Sequence, residues 1–175
     1  NTYNITIDEM LIFVQAVARG AKKTFIIGDM PFMSYHCSLE QATKNAGELI
    51  QAGAQAVKLE GGTDYIVDIV RHLNEMGIPV VAHLGFTPQY LNTIGGYAVQ
   101  GKSFDCTIKI LEQAKKLQNA GAFMLVLEMV PEESAKYIKE NEMLFVLRKK
   151  LSSILFILNS IGRLFQKEQT HLIFL

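Results

Sequence analysis

Five ionisable residues stand at comparable places in this sequence. Asp29, Lys58, Glu60, His83 and Glu128 each fall at or beside the polar end of a short apolar run. Carboxylates in such a set can take a hard divalent cation or accept protons. A nearby lysine would add charge where negative charge develops. Lys58 and Glu60 are two apart, so on an extended strand they share a face. Taken singly, each residue has an ordinary alternative. Lys58 and Glu60 read equally as a solvated pair, Glu128 as the partner of a lysine outside the fold, and His83 as a hydrogen-bonded core histidine. What favours a site is that all the runs end alike.

The elements that must position these residues repeat. The segments ARGAKKTFIIGD, QAGAQAVKLE, NEMGIPVVAHL and QNAGAFMLVLE each show a helical end, a glycine, an apolar run and a polar terminus. Gly20, Gly53, Gly77 and Gly121 stand where a helix hands over to positive φ. Upstream, Thr6–Glu9 and Ser38–Gln41 both fit a capping box. Helical apolar spacing follows in each unit, as in Ile66, Ile69, Val70 and Leu73. The runs Thr24–Ile27, Ala56–Leu59, Val80–Ala82 and Phe123–Leu127 lack alternation, which predicts parallel strands buried on both faces. Right-handed crossovers then give a doubly wound sheet or a barrel. A barrel gathers the strand ends on one pocket. The stretch GFTPQYLNTIGGYAVQGKS after His83 has no helical period and reads as a long functional loop.

Composition narrows the classes. Of 175 residues, 49% are hydrophobic, which suits one domain with a buried core. Lys and Arg number 17, as do Asp and Glu. That balance gives no electrostatic case for nucleic acid or an anionic membrane. Cys37 and Cys106 have no metal-ligand spacing and read as reduced thiols. With no basic-then-apolar leader, no signal peptide is expected, and the location expected is cytoplasmic. The chain starts at Asn1 rather than Met, which reads as a fragment or a processed product. His36, His72 and His171 sit in no motif. Met30, Met33 and Met129 read as gap-fillers of the core. Tyr97 either lines the site or packs within its loop.

The ordered blocks GDMPFMSY, AGAQAVKLEGG, GIPVVAHLGFTPQ, GGYAVQGK and LVLEMVP resemble the ketopantoate hydroxymethyltransferase family over residues from about 4 to about 140. The resemblance implies a partial (β/α)₈ TIM-type barrel of the phosphoenolpyruvate/pyruvate-binding superfamily, with this chain supplying strands three to six. It implies transfer of a hydroxymethyl group from 5,10-methylenetetrahydrofolate, as co-substrate, to 3-methyl-2-oxobutanoate, giving ketopantoate. By resemblance Asp29 and Glu60 are Mg²⁺ ligands, and Asp29, Lys58 and His83 contact the substrate. Glu128 is the base, its pKa raised by partial burial. Family members are homo-oligomers, often decamers.

Two departures stand out. The family's GDS motif, which supplies a further metal-ligating Asp, does not occur here, so little or no ketopantoate formation is expected from this chain as given. After about Glu140 the sequence no longer resembles the family; it reads NEMLFVLRKKLSSILFILNSIGRLFQKEQTHLIFL, with Gly162 its single glycine. A frame change in the coding DNA would produce such a tail, and GIGAG encoded in another frame would test that. The division expected is a barrel domain over 1–140 and a tail over 141–175 read as helical. The tail's apolar run Leu151–Leu158 is too short to span a membrane. A half barrel should leave two open sheet edges. The alternatives are an inactive remnant of the enzyme or another keto-acid enzyme of the same superfamily.

Overall fold

The computed structural model describes residues 2–21, 23–141, 145–149 and 172–174. Helices and strands alternate: α1 (Ile7–Gly20), β1 (Phe25–Asp29), α2 (Leu39–Gln51), β2 (Ala56–Glu60), α3 (Asp64–Glu75) and β3 (Val80–Gly85). They continue as α4 (Leu91–Ile94), α5 (Phe104–Asn119), β4 (Met124–Glu128), α6 (Glu132–Glu140), β5 (Phe145–Lys149) and β6 (Leu172–Phe174).

Local chemistry sets the helix starts. Thr6 accepts from the Glu9 N–H at 3.2 Å while Glu9 accepts from the Thr6 N–H at 2.8 Å, a full capping box. At α2 the return bond lands one residue earlier. Ser38 accepts from Gln41, but Gln41 Oε1 accepts from the Cys37 N–H. Gly53, Gly77 and Gly121 take the expected positive φ. Gly20 does not: it closes α1 inside the helix, and Ala21 caps it with φ −99°.

The sheet is parallel throughout, in the order β5-β4-β3-β2-β1-β6. From β1 to β5 the spatial order follows the chain without reversal. A doubly wound sheet reverses at a switch point, so the winding is the barrel kind. The packing agrees. One core, containing Val57, Leu59, Ala82, Leu84, Leu125 and Leu127, holds the helices against one face of the sheet. The second, of Ile27, Ala56, Val81, Met124 and Val126, contains no helical residue and fills the other, inner face.

The expected helical tail needs correction where it is described. Phe145–Lys149 extends the sheet from β4, and Leu172–Phe174 pairs with β1. A parallel edge offers a row of unpaired N–H and C=O groups, and backbone pairing satisfies them as a helix would not. The edges of the four central strands are therefore covered by β5 and β6. Leu151–Leu158 and His171 lie outside the described residues. Among the described residues no helix is long and apolar enough to cross a membrane.

Candidate active site

Each central strand carries apolar residues low on its inner face and ionisable ones at its C-terminal end. Ile27 precedes Asp29, Ala56 precedes Lys58 and Glu60, Val81 precedes His83, and Val126 precedes Glu128. Period-two alternation puts each series on one face. Register then decides who meets whom: Asp29 lies opposite Lys58, Glu60 opposite His83, and Glu128 opposite Gly85.

The five side chains form one contact path. Lys58 Nζ lies 2.8 Å from Asp29 Oδ1 and 3.7 Å from Glu60 Oε1. His83 Nδ1 lies 3.3 Å from the same Glu60 oxygen, and His83 Nε2 lies 3.3 Å from Glu128 Oε2. The second contact has ion-pair distance without hydrogen-bond alignment. Lys58, Glu60, His83 and Glu128 are only 7%, 3%, 2% and 6% exposed. That rules out a solvated Lys58–Glu60 pair and turns Glu128 inward. His83 is a buried histidine and also the link between two carboxylates.

Burial pushes the Glu60 carboxyl up, but the hydrogen bond with His83, the Lys58 charge and the Gln89 N–H outweigh it, so its pKa sits below the ordinary glutamate range. Burial pulls the Lys58 ammonium down. Asp29 and then Glu60 more than offset this, and Lys58 stays protonated above the ordinary lysine value.

Asp29 Oδ1 is buried and, apart from its ion pair with Lys58, has no bonded partner among the described residues. Nor do the described residues hold a group of three or more His, Cys, Asp or Glu side chains able to cage a metal ion. Two carboxylates touching one cation fit a hard ion such as Mg²⁺, which keeps waters and needs one or two protein carboxylates. They do not fit a zinc cage.

Two residues with no expected role are central. Gln89 donates its backbone N–H to Glu60 Oε2 at 2.9 Å, and Tyr35 accepts from the Glu60 N–H at 3.2 Å. Both lie in the quoted blocks GFTPQ and GDMPFMSY, but neither ionises near neutrality, so a search for titratable strand ends passes them over. The stretch after His83 is not wholly irregular: it contains a 3₁₀ turn at Pro88–Tyr90 and α4. Tyr97 is 74% exposed, and its ring packs 5.0 Å from Phe86. That is loop packing. Met30 is buried as expected, whereas Met33 is 48% exposed with φ 67° in the loop after β1. Its backbone is pinned there by His36, whose Nδ1 accepts from the Met33 N–H at 3.1 Å. Cys37 and Cys106 are unpaired and exposed. A cavity of about 310 Å³ opens beyond Gly85, between Tyr90 and Gln113, and includes none of the five ionisable residues.

The fold and site define a parallel α/β protein of barrel winding, with a carboxylate-rich cluster at its strand ends. The sequence profile of the ketopantoate hydroxymethyltransferase family matches residues 1–146, and the chain belongs to that family. It is 52% identical over 140 residues to 3-methyl-2-oxobutanoate hydroxymethyltransferase of Thermotoga neapolitana, covering 80% of this chain and 52% of that one. With the Bacillus cereus protein of the same name it shares 48% over 141 residues, covering 80% and 50%. The chain thus spans about half the length of the curated relatives it matches. Among solved structures it is similar in fold to 2,3-dimethylmalate lyase, with TM-score 0.61 and 14% identity over 98% of this chain and 60% of that one. Phosphonopyruvate hydrolase gives TM-score 0.61 at 11% identity, covering 99% and 60%.

Proposed function

We propose that this chain carries the acid–base part of a centre that converts 3-methyl-2-oxobutanoate to ketopantoate, with 5,10-methylenetetrahydrofolate as one-carbon donor. The observation that carries the reading is the unbroken path Asp29–Lys58–Glu60–His83–Glu128 on the inner face. The names of the relatives, about half of whose length this chain spans, support the substrate and the reaction class.

Asp29 and Glu60 are the residues that would hold Mg²⁺, which when bound supplies Lewis-acid polarisation of a keto oxygen. Lys58 meets the substrate's negative charge and stabilises the enolate as it forms. Glu128 takes the C3 proton, the C3–H electron pair moves into the C2–C3 bond, and the C2=O pair moves onto the keto oxygen. His83 stands between Glu128 and Glu60 and keeps their charges apart. C3 then bonds to the donor's methylene carbon, whose two C–N bonds break in turn: both nitrogens take protons and leave as tetrahydrofolate, and water supplies the hydroxyl oxygen. Overall the keto acid, the methylene donor and water give ketopantoate and tetrahydrofolate.

Proton removal can be tested apart from carbon transfer. In D₂O with Mg²⁺, NMR should show loss of the C3 proton signal of 3-methyl-2-oxobutanoate. The loss should need this chain and disappear in Glu128→Gln. Exchange no faster than in that variant would refute the reading.

A further inference from the structure

Strand geometry alone does not hold Glu60. Its Oε2 accepts the Gln89 N–H at 2.9 Å, and its own N–H donates to Tyr35 at 3.2 Å. The ring closes through Tyr35, whose hydroxyl donates to Gln89 Oε1 at 2.6 Å. Gln89 Nε2 then donates to the Met30 carbonyl at 2.8 Å. Met30 directly follows Asp29, and its N–H donates to the Lys58 carbonyl at 2.8 Å. Tyr35, Glu60, Met30 and Gln89 are all buried.

We infer that Gln89 is a positioning residue for the metal-facing carboxylate, tying Glu60 to the backbone beside Asp29 and reserving Glu60 Oε1 for the inner face. The inference rests on the reading of Asp29 and Glu60 as Mg²⁺ ligands. Its logic is that of an outer shell which orients a ligand. Glu60 Oε2 is occupied by a peptide N–H, so Oε1 is the oxygen beside Lys58 and His83. The side chain of Gln89 has one satisfied orientation. Turned over, its carbonyl oxygen would face the Met30 carbonyl, and a buried amide without a donor there is costly. Locking the side chain locks the peptide N–H that grips Glu60. Three strand-end segments then move as one: that after β1 through Met30, that of β2 through Glu60, and that after β3 through Gln89.

Mn²⁺ serves as the probe, its free concentration read by electron paramagnetic resonance at low temperature, with metal-free melting measured alongside. Wild type should bind saturably and Glu60→Gln should lose that binding. Gln89→Met, which keeps volume but makes neither side-chain bond, should weaken binding about tenfold or more. Tyr35→Phe removes one anchor and should weaken it about fivefold; it carries the test should Gln89→Met not fold. A merely structural Gln89 would lower the melting temperature and leave the Mn²⁺ constant of the folded protein unchanged. Folded variants within twofold of wild type, beside a Glu60→Gln that has lost binding, would overturn the inference alone. Absence of saturable binding in wild type would overturn the metal-centre reading, and the inference with it.

Discussion

Lys58 and Asp29 face each other across neighbouring parallel strands as register partners, their charged atoms 2.8 Å apart. The ammonium also lies 3.7 Å from Glu60. One buried cation therefore serves two carboxylates.

Removing that cation should be costly. Lys58→Met keeps much of the volume but leaves two carboxylates facing one another without it. Breaking a buried pair from one side costs about 3–5 kcal/mol. A clear fall in melting temperature is expected at neutral pH. The deficit should shrink in acid, where the stranded carboxylates can take protons. A variant that melts within a degree or two of wild type would show that the pair is not integral to the fold.

Gly85 should resist substitution. It lies opposite Glu128, has φ +88°, and an added Cβ would collide with the Glu128 carbonyl and a Val130 methyl. Positive φ alone costs a non-glycine residue about 1–3 kcal/mol, and the collision falls on the peptide that carries Glu128. Gly85→Ala should therefore lose stability and C3-proton exchange together. Normal exchange in a stable Gly85→Ala protein would mean that this approach is not needed.

Acid should weaken the fold through Glu60. Its carboxyl has a lower pKa folded than unfolded. On acidification through the ordinary glutamate range, the unfolded chain takes up its proton first, so the stability Glu60 contributes is lost as pH falls towards its folded pKa. Lys58 has the opposite sense: its raised pKa gives stability that is complete below the ordinary lysine value and lost as pH rises through the higher folded one. Melting followed in chelator from neutral to acid should decline less steeply in Glu60→Gln than in wild type. Parallel curves would remove Glu60 from the acid response.

Loss of a helix cap gives a control away from the site. Thr6→Ala breaks the side-chain half of the box at α1 and should cost about 1 kcal/mol. Mn²⁺ binding should be unaffected. A change in the Mn²⁺ constant would show that α1 couples to the strand ends.

Much of this arrangement was legible in the sequence because it depends on period and punctuation. Unalternating apolar runs ending in Asp29, Glu60, His83 and Glu128 foretold parallel strands with a charged C-terminal end, and the two-residue spacing put Lys58 on the face of Glu60. The runs could not choose between double winding and a barrel, because that choice lies in the order of strands in space. Gly20 was misread because a glycine at a helix end looks the same whether it closes the last turn or follows it. Phe145–Lys149 and Leu172–Phe174 pair as strands where a helical reading was expected, because local composition carries no information about the sheet edges awaiting partners. Gln89 and Tyr35 were unseen because their importance comes from four hydrogen bonds that link residues far apart in sequence.

The shared ammonium has a consequence for handling the protein. With Lys58 supplying an internal counter-ion, the acidic lining is not left bare without a divalent ion. Purification in EDTA should therefore yield an intact protein, and if Asp29 and Glu60 take Mg²⁺ as proposed, adding it should exchange one charge partner for another without refolding.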